Sequence, residues 1–330
     1  MADDVGAPLS CEQALAFGPV PSRRLGISLG VNVVPRKICS YNCVYCQLGK
    51  TTNLTVERRV YTPTDAIVDA ALERLDNAPS TEYVTFIGDG EPTLALNLQE
   101  IIEGISDRWS GRFALLTNGS LLWKSDVRDA ASMCDIVLPT MSAGDEDTFR
   151  RLHRPPRDIS FEKYVQGLRD LVLGYSGATW AEVMLVRGLN DHVESLRRIA
   201  ELVDDIEPAE THLTAPIRPP SVSTVNPPTR ETIELALRLI PGSVDFTYPE
   251  ETDMPSSYSD PVRQLTDITG THPLRHDQAV CVLTGAGRTE EEAGATIDAL
   301  LKSQVLVALV RDEDIFYVRG RPDAGAMQHV

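Results

Sequence analysis

The chain has 330 residues, 24% of them charged and 42% hydrophobic, with 31 Lys+Arg against 48 Asp+Glu for a formal net charge of −17. This composition excludes a disordered chain and allows one large or two unequal domains around a substantial core. No apolar run approaches the roughly 18 residues of a membrane helix, the six cysteines lack the spacing of a disulfide framework, and the acidity opposes loose binding to nucleic acid or an anionic membrane.

At the N-terminus Asp3 and Asp4 stand where a secretory signal would carry basic residues before an apolar block, so the expected compartment is the reducing cytosol. Residues 27–34 read as a first strand. The next segment carries Cys39, Cys43 and Cys46, with Tyr45 just before the last cysteine. Three thiolates at this spacing can ligate three irons of a [4Fe-4S] cluster and leave the fourth iron open, which ordinary four-cysteine ferredoxin sites do not. A structural zinc site is the competing reading, but zinc takes four closed ligands. The nearest histidine is His153, and Cys11, Cys134 and Cys281 are scattered.

A helix is expected over 63–77, with Thr62 at the N-cap and Pro63 at the first helical position. Residues 83–87 form the next strand, followed by Gly88-Asp89-Gly90-Glu91-Pro92-Thr93. A glycine-rich turn after a parallel strand admits a ligand close to the backbone, and Glu91 adds an acceptor for an ammonium group. After a helix over 96–108 and a strand over 113–116, Asn118 can bond a ribose or carboxylate and Gly119 frees the turn. Ser142 holds the corresponding place after the strand 136–138, although a capping or turn role would suit either residue.

Helices follow over 146–152 and 161–172. From the end of the first of these onward, Arg150, Arg151, His153, Arg154 and Arg157 form a basic cluster in an acidic chain. Arg150 and Arg151 read as a solvated helix face. Arg154, like Arg23 and Arg24 further upstream, is a candidate for gripping phosphate or carboxylate, and His153 is assigned no role. Glu182 lies inside an otherwise apolar strand, 180–186, so it must be paired or face a polar cavity. Arg187 ends that strand, and Arg218 follows the next, 211–215. Either could hold an anionic ligand or complete a structural Glu–Arg pair. Helices over 192–204, with Asp191 as cap, and 229–240 complete an alternation that argues for parallel β/α units.

The texture changes after residues 253–257. Helices are expected over 261–268, 274–283 and 289–301, with Thr289 and Glu292 at capping-box spacing, then strands over 305–310 and 315–318 across Asp312-Glu313-Asp314. Three helices and a hairpin resemble a winged-helix domain. Residues 255–330 hold 7 Lys+Arg against 11 Asp+Glu, and the third helix opens with Glu290, Glu291 and Glu292. A DNA reader needs the opposite sign there, which favours a protein- or peptide-binding or packing role. The expected domains are 1–254 and 255–330.

The cysteine spacing with its aromatic resembles the radical S-adenosylmethionine (SAM) superfamily. The segment Phe17 to Gly26, the Gly-Glu-Pro-Thr run at 90–93 and the stretch Glu182 to Asp191 resemble the group related to the wyosine-base synthases that modify tRNA. The resemblance covers about residues 17–250 and implies a partial (β/α)6 barrel with Cys39, Cys43 and Cys46 as cluster ligands and SAM chelated by the open iron. One electron then cleaves SAM to methionine and a 5′-deoxyadenosyl radical. A Gly-Gly-Glu-like segment binds the SAM amino group in this family. Here it reads Gly-Asp-Gly-Glu, placing Gly88, Gly90 and Glu91 in that role. Asn118 and Ser142 fall near SAM contacts, and Tyr45, Glu182, Arg187 and Arg218 complete the candidate cofactor-binding set. The resemblance further implies an electron donor such as ferredoxin or flavodoxin. The substrate is open between a peptide or protein and a tRNA, and a non-enzymatic Fe–S or zinc adaptor is the reading from another class. The tRNA enzymes carry a second cysteine set upstream, where this chain has Cys11 alone, so neither a second cluster nor their substrate chemistry carries over.

Overall fold

A computed structural model describes residues 14–22, 24–78, 80–248, 260–311 and 314–320. Cys11, Arg23, the stretch 253–257 where the domain boundary was expected, and Asp312 and Glu313 lie outside the described residues. In chain order the strands and helices begin β1 (Ala16–Ser22), β2 (Gly26–Val31), β3 (Ile38–Cys39), β4 (Asn53–Leu54), α1 (Thr64–Asp76), β5 (Tyr83–Phe86), α2 (Leu98–Ser106) and β6 (Arg112–Thr117). They continue with α3 (Ser125–Ala131), β7 (Ile136–Pro139), α4 (Glu146–His153), α5 (Phe161–Gly174), β8 (Ala178–Met184), α6 (Val193–Ile206), β9 (Glu210–Thr214), α7 (Arg230–Leu239) and β10 (Ser243–Asp245). The last are α8 (Pro261–Thr271), β11 (Leu274–Arg275), α9 (His276–Thr284), α10 (Glu290–Lys302), β12 (Leu306–Arg311) and β13 (Asp314–Arg319).

The main sheet has the order β1-β2-β5-β6-β7-β8-β9-β10. From β2 to β10 every neighbouring pair is parallel, and only the β1–β2 hairpin is antiparallel. Strands β5 and β7 are buried along their whole length, as parallel strands covered on both faces must be. The helices follow the 3.6-residue period. In α2 the buried residues are Leu98, Ile101, Ile102 and Ile105, one apolar stripe turned to the sheet. Three strands separate β2 from β8 in the sheet order, yet Arg24 in the β1–β2 turn bonds Glu182 of β8 at 2.6 Å. That contact requires the sheet to curl into an open, partial β/α barrel.

Strand β1, which contains Gly18, Pro19 and Pro21, is absent from the sequence expectation. It sits at the sheet edge and is irregular between Phe17 and Val20, where missing N–H donors cost no ladder bonds. Three helix starts also differ. Pro63, not Thr62, holds the N-cap position of α1, and the Thr62 carbonyl accepts from Asn97 Nδ2. His192 holds the N-cap position of α6 without a side-chain cap bond, while Asp191 Oδ1 accepts from Gly188 N. The expected helix over 274–283 opens as strand β11, pairing Leu274 with Tyr317 of β13.

The C-terminal residues build their own core, with Leu265, Ile268, Leu274, Val282, Leu283 and Ile297 at its centre. Their element order is helix, strand, two helices and two strands, with the sheet ordered β11-β13-β12. The capping box of α10 is present, Thr289 Oγ1 accepting from Glu292 N and Glu292 Oε2 from Thr289 N. Arginines tie this unit to the barrel. Arg74 Nη2 reaches Asp267 Oδ2 at 2.9 Å, Arg36 Nη1 donates to the Gly270 carbonyl, and Arg311 donates to the carbonyls of Arg218 and Val225.

Candidate active site

The cysteine loop leaves β2 and is held from three sides. Lys37 turns the chain with φ of +60°, its N–H bonding the Asp89 carbonyl at 2.7 Å and its carbonyl accepting from Thr52 and Asn53. The Ile38 carbonyl accepts from Glu91 N at 3.1 Å. This approach explains Gly90, where a Cβ would stand 1.8 Å from the Ile38 oxygen, and Gly88, where it would press on Val34 at 2.9 Å. Both glycines serve by close packing of backbone, not by an unusual φ. On the far side Asn42 N and Val44 N donate to the carbonyls of His153 and Leu152 in α4, and the Ser221 hydroxyl donates to the Cys43 carbonyl at 2.7 Å.

Each sulfur has a nitrogen beside it. Tyr41 N and Asn118 Nδ2 point at Cys39 Sγ from 3.4 and 3.6 Å, Lys37 Nζ donates to Cys46 Sγ at 3.0 Å, and His153 Nδ1 lies 3.4 Å from Cys43 Sγ. Burial, reinforced by the Glu91 charge, pushes the Cys39 thiol up to about 12. Burial and then the neighbouring Cys39 raise Cys43 well above its usual range. Burial also drives His153 down to about 3, so the ring beside Cys43 is neutral. Tyr45 bonds the same His153 nitrogen through its hydroxyl at 3.3 Å and meets the ring edge-on.

Glu91 is the polar centre of the adjacent strand ends. It is 2% exposed. Oε1 accepts from Thr93 N, Thr93 Oγ1 and Thr117 Oγ1 at 3.2, 2.6 and 2.5 Å, and Oε2 accepts from Asn118 N at 2.8 Å. Burial raises its carboxyl above the usual range against the pull of these donors. Asn118 carries the contact onward, donating to Ser40 Oγ at 2.9 Å and accepting from Ser120 N. The ends of β5 and β6 are thereby bonded to the first cysteine.

The other expected residues are spread more widely. Ser142 is fully buried after β7, its hydroxyl accepting from Met184 N at 2.8 Å. Glu182 is paired with Arg24, not with Arg187 or Arg218, which takes Arg24 from the set of free anion-gripping candidates. Arg218 Nε donates to the Pro273 carbonyl at 3.3 Å and so faces the C-terminal unit. Arg150 and Arg151 make i,i+4 pairs with Glu146 and Asp147, as a solvated helix face would. Two residues of the loop surroundings went unassigned in the sequence. Lys37 is 4% and His153 2% exposed, and only the fold buries them against sulfur.

This donor set fits an iron–sulfur cluster. Each thiolate would serve a separate iron, and the N–H groups aimed at the sulfurs are the kind that tune such clusters. Among the described residues no group of three or more His, Cys, Asp or Glu is drawn together as a metal site, the three cysteines included. The family model of the radical SAM superfamily matches residues 33–203. The chain is 32% identical over 321 residues to a UPF0026 protein of Methanocaldococcus jannaschii, covering 92% of this chain and 96% of that protein. A radical SAM methyltransferase from Sphaerobacter thermophilus aligns over 68% of this chain and 67% of its own, at TM-score 0.52 and 16% identity. SuiB of Streptococcus suis, solved with its precursor peptide SuiA, aligns over 66% and 48% at TM-score 0.51 and 10% identity. These two structural likenesses speak for the fold alone. The family match spans more than half of the chain and contains the cysteine loop, the Gly-Glu turn and strands β5 to β8. The chain belongs to the radical SAM superfamily of enzymes.

Proposed function

We propose that this enzyme cleaves SAM reductively at a [4Fe-4S] cluster held by Cys39, Cys43 and Cys46 and abstracts hydrogen from an organic substrate. When bound, the cluster would supply the electron that splits SAM into methionine and the hydrogen-abstracting 5′-deoxyadenosyl radical. Everything else falls to the protein as binding, orientation and water exclusion. The observation that carries the reading is the bonded chain from Cys39 through Asn118 to Glu91, which fixes the cysteine loop against the C-terminal ends of β5 and β6, where β/α barrels bind ligands.

The residues divide the work. The Cys39 and Cys43 thiols, both raised, resist ionisation and keep their protons until iron takes their place. Lys37 and Asn118 then face sulfurs that carry negative charge. Gly88 and Gly90 let the turn lie against the loop, and Glu91 locks Thr93, Thr117 and Asn118 into one unit, with the SAM amino group as a further donor it could accept. Ser142, Glu182 and Arg187 line later strand ends and remain candidates for SAM contacts. Tyr45 and neutral His153 wall off Cys43. Arg218, turned to the C-terminal unit, is the weakest of the set.

Between peptide and tRNA substrates, the net charge of −17 counts against tRNA, and the peptide-bound S. suis relative in fold is consistent with the former. The C-terminal unit, in winged-helix-like order, serves as a packing or partner-binding module divided from the barrel near residue 254. A soluble electron donor in the cytosol completes the scheme, and no helix among the described residues is long and apolar enough to cross a membrane. Anaerobic reconstitution tests the proposal. About four irons per chain are expected, with 5′-deoxyadenosine released from SAM under a strong reductant. Stoichiometric zinc with no iron would sink it.

A further inference from the structure

Outside the strand ends just described, a cleft of about 440 Å³ borders the cysteine loop at Val44. Arg151 and Arg154 reach it from the C-terminal turn of α4, Arg187 and Leu189 from the loop after β8, and Thr224 from the loop after β9. Three arginines therefore line one small space, and no carboxylate lines it. The acids of α4 are engaged elsewhere. Asp145 meets Arg198, Glu146 meets Arg150, and Asp147 takes Arg151 at 3.5 Å on the exposed face. Arg154 and Arg187 make no side-chain hydrogen bond or ion pair to the described residues.

Arg154 and Arg187, with no counter-charge among the described residues, repel one another and gain when an anion joins them. In a chain of net charge −17 such a gathering is a local exception to the overall sign. The cleft is also rigidly walled. Val44 N donates to the Leu152 carbonyl, Val222 N to the Val44 carbonyl, and Arg187 N to the Asn226 carbonyl, at 3.0 to 3.1 Å. Arg154 holds a left-handed φ of +48° that fixes where its side chain leaves α4.

The ligand chemistry follows from number and shape. A carboxylate satisfies one guanidinium fork, whereas a phosphate monoester offers nearly two charges and three acceptor oxygens. The volume suits a small molecule, and Val44 and Leu189 give its organic part an apolar wall beside the cysteine loop. We propose that the cleft binds the phosphate of the substrate, and that this substrate is a small phosphate ester whose organic part is held toward the cysteine loop. The proposal rests on the loop's being the reaction centre as argued above.

Inorganic phosphate is the probe, titrated calorimetrically into the anaerobic, cluster-loaded full chain with acetate as the comparison. One saturable phosphate per chain is expected, about tenfold tighter than acetate, as a multiply bonded dianion against a monoanion requires. The Arg154→Gln, Arg187→Gln double variant should weaken phosphate by about tenfold or more, while Arg169→Gln, on an exposed pair with Asp205, should leave it unchanged. Equal acetate binding, an unaffected double variant, or loss of the phosphate site on saturating with SAM would each overturn the proposal, the last by assigning the arginines to the SAM carboxylate. Displacement of phosphate by sub-stoichiometric unfractionated tRNA would overturn the small-ester assignment. A wild-type protein that binds phosphate but releases no 5′-deoxyadenosine would sink the radical reading and leave the anion site standing. The reverse result would sink the anion site alone.

Discussion

The cysteine loop and the arginine cleft lie back to back on Val44, and they are built on opposite principles. On the loop side nearly every polar group has a partner. Glu91 accepts four hydrogen bonds, Asn118 spans two segments, and each sulfur has a nitrogen within 3.6 Å. On the cleft side two guanidinium groups have no bonded partner at all among the described residues. A largely satisfied polar network is rigid and leaves little for a variable ligand to complete. Cations held apart from any acid leave their bonds unmade until a ligand supplies the oxygens. The contrast divides the site into a preorganised cofactor scaffold and a side that waits for substrate.

Changes on the scaffold side should cost most. Alanine at Cys39, Cys43 or Cys46 is expected to abolish iron loading, read as loss of cluster absorbance after anaerobic reconstitution. Alanine at Cys134 or Cys281 should leave it intact. Iron retained by any of the first three variants would break the assignment of the loop. Glu91→Ala comes next. It strands the donors of Thr93, Thr117 and Asn118 in a buried place, at about 3 kcal/mol, measured by urea unfolding of the cluster-free protein. The sign of its pH dependence follows from burial, which raises the folded carboxyl above its unfolded value. The stability attached to Glu91 is fully present below the unfolded pKa and falls as pH rises through the raised one. Glu91→Gln should remove that fall. Weaker SAM binding with unchanged stability in Glu91→Ala would instead make Glu91 chiefly the ammonium acceptor.

Lys37 sharpens the contrast from within the scaffold. Its ammonium lies 3.0 Å from Cys46 Sγ and stabilises added negative charge there. Lys37→Met should lower the cluster's reduction potential by on the order of 50 mV, followed by potentiometric EPR titration, and Lys37→Arg should recover part of it. An unchanged potential would make the lysine a packing residue only.

What the sequence made legible follows chemical type and range. The cysteine spacing, the alternating strands and helices and the Gly-Glu turn are local patterns, and the fold kept them. Lys37, His153 and the Arg24–Glu182 pair were not legible, because each acquires its meaning from a partner between 9 and 158 residues away. A buried lysine reads as a surface lysine until the chain turning around it is known. Arg151, read as a solvated helix face, both makes its i,i+4 pair and lines the cleft. The bond from Met184 N to the Ser142 hydroxyl likewise depends on the adjacency of β7 and β8 rather than on any spacing in the chain.

The smallest expected effect lies where the C-terminal unit touches the cleft. Arg311, at the end of β12, donates to the carbonyls of Arg218 and Val225. Val225 in turn bonds the Val222 carbonyl through its N–H, and Val222 N bonds the Val44 carbonyl. One side chain from the second core thus braces the wall that carries Thr224. Arg311→Met keeps much of the length and apolar bulk but removes these donors, so the 218–225 loop loses its outer brace while the cysteine loop keeps its own bonds to α4. Phosphate affinity should fall about threefold, because the lost brace acts on the wall and not on the ligand itself, with iron content and 5′-deoxyadenosine release unchanged. Loss of iron in this variant would mean that the C-terminal unit supports the scaffold itself, and the division between the two sides of Val44 would fail there first.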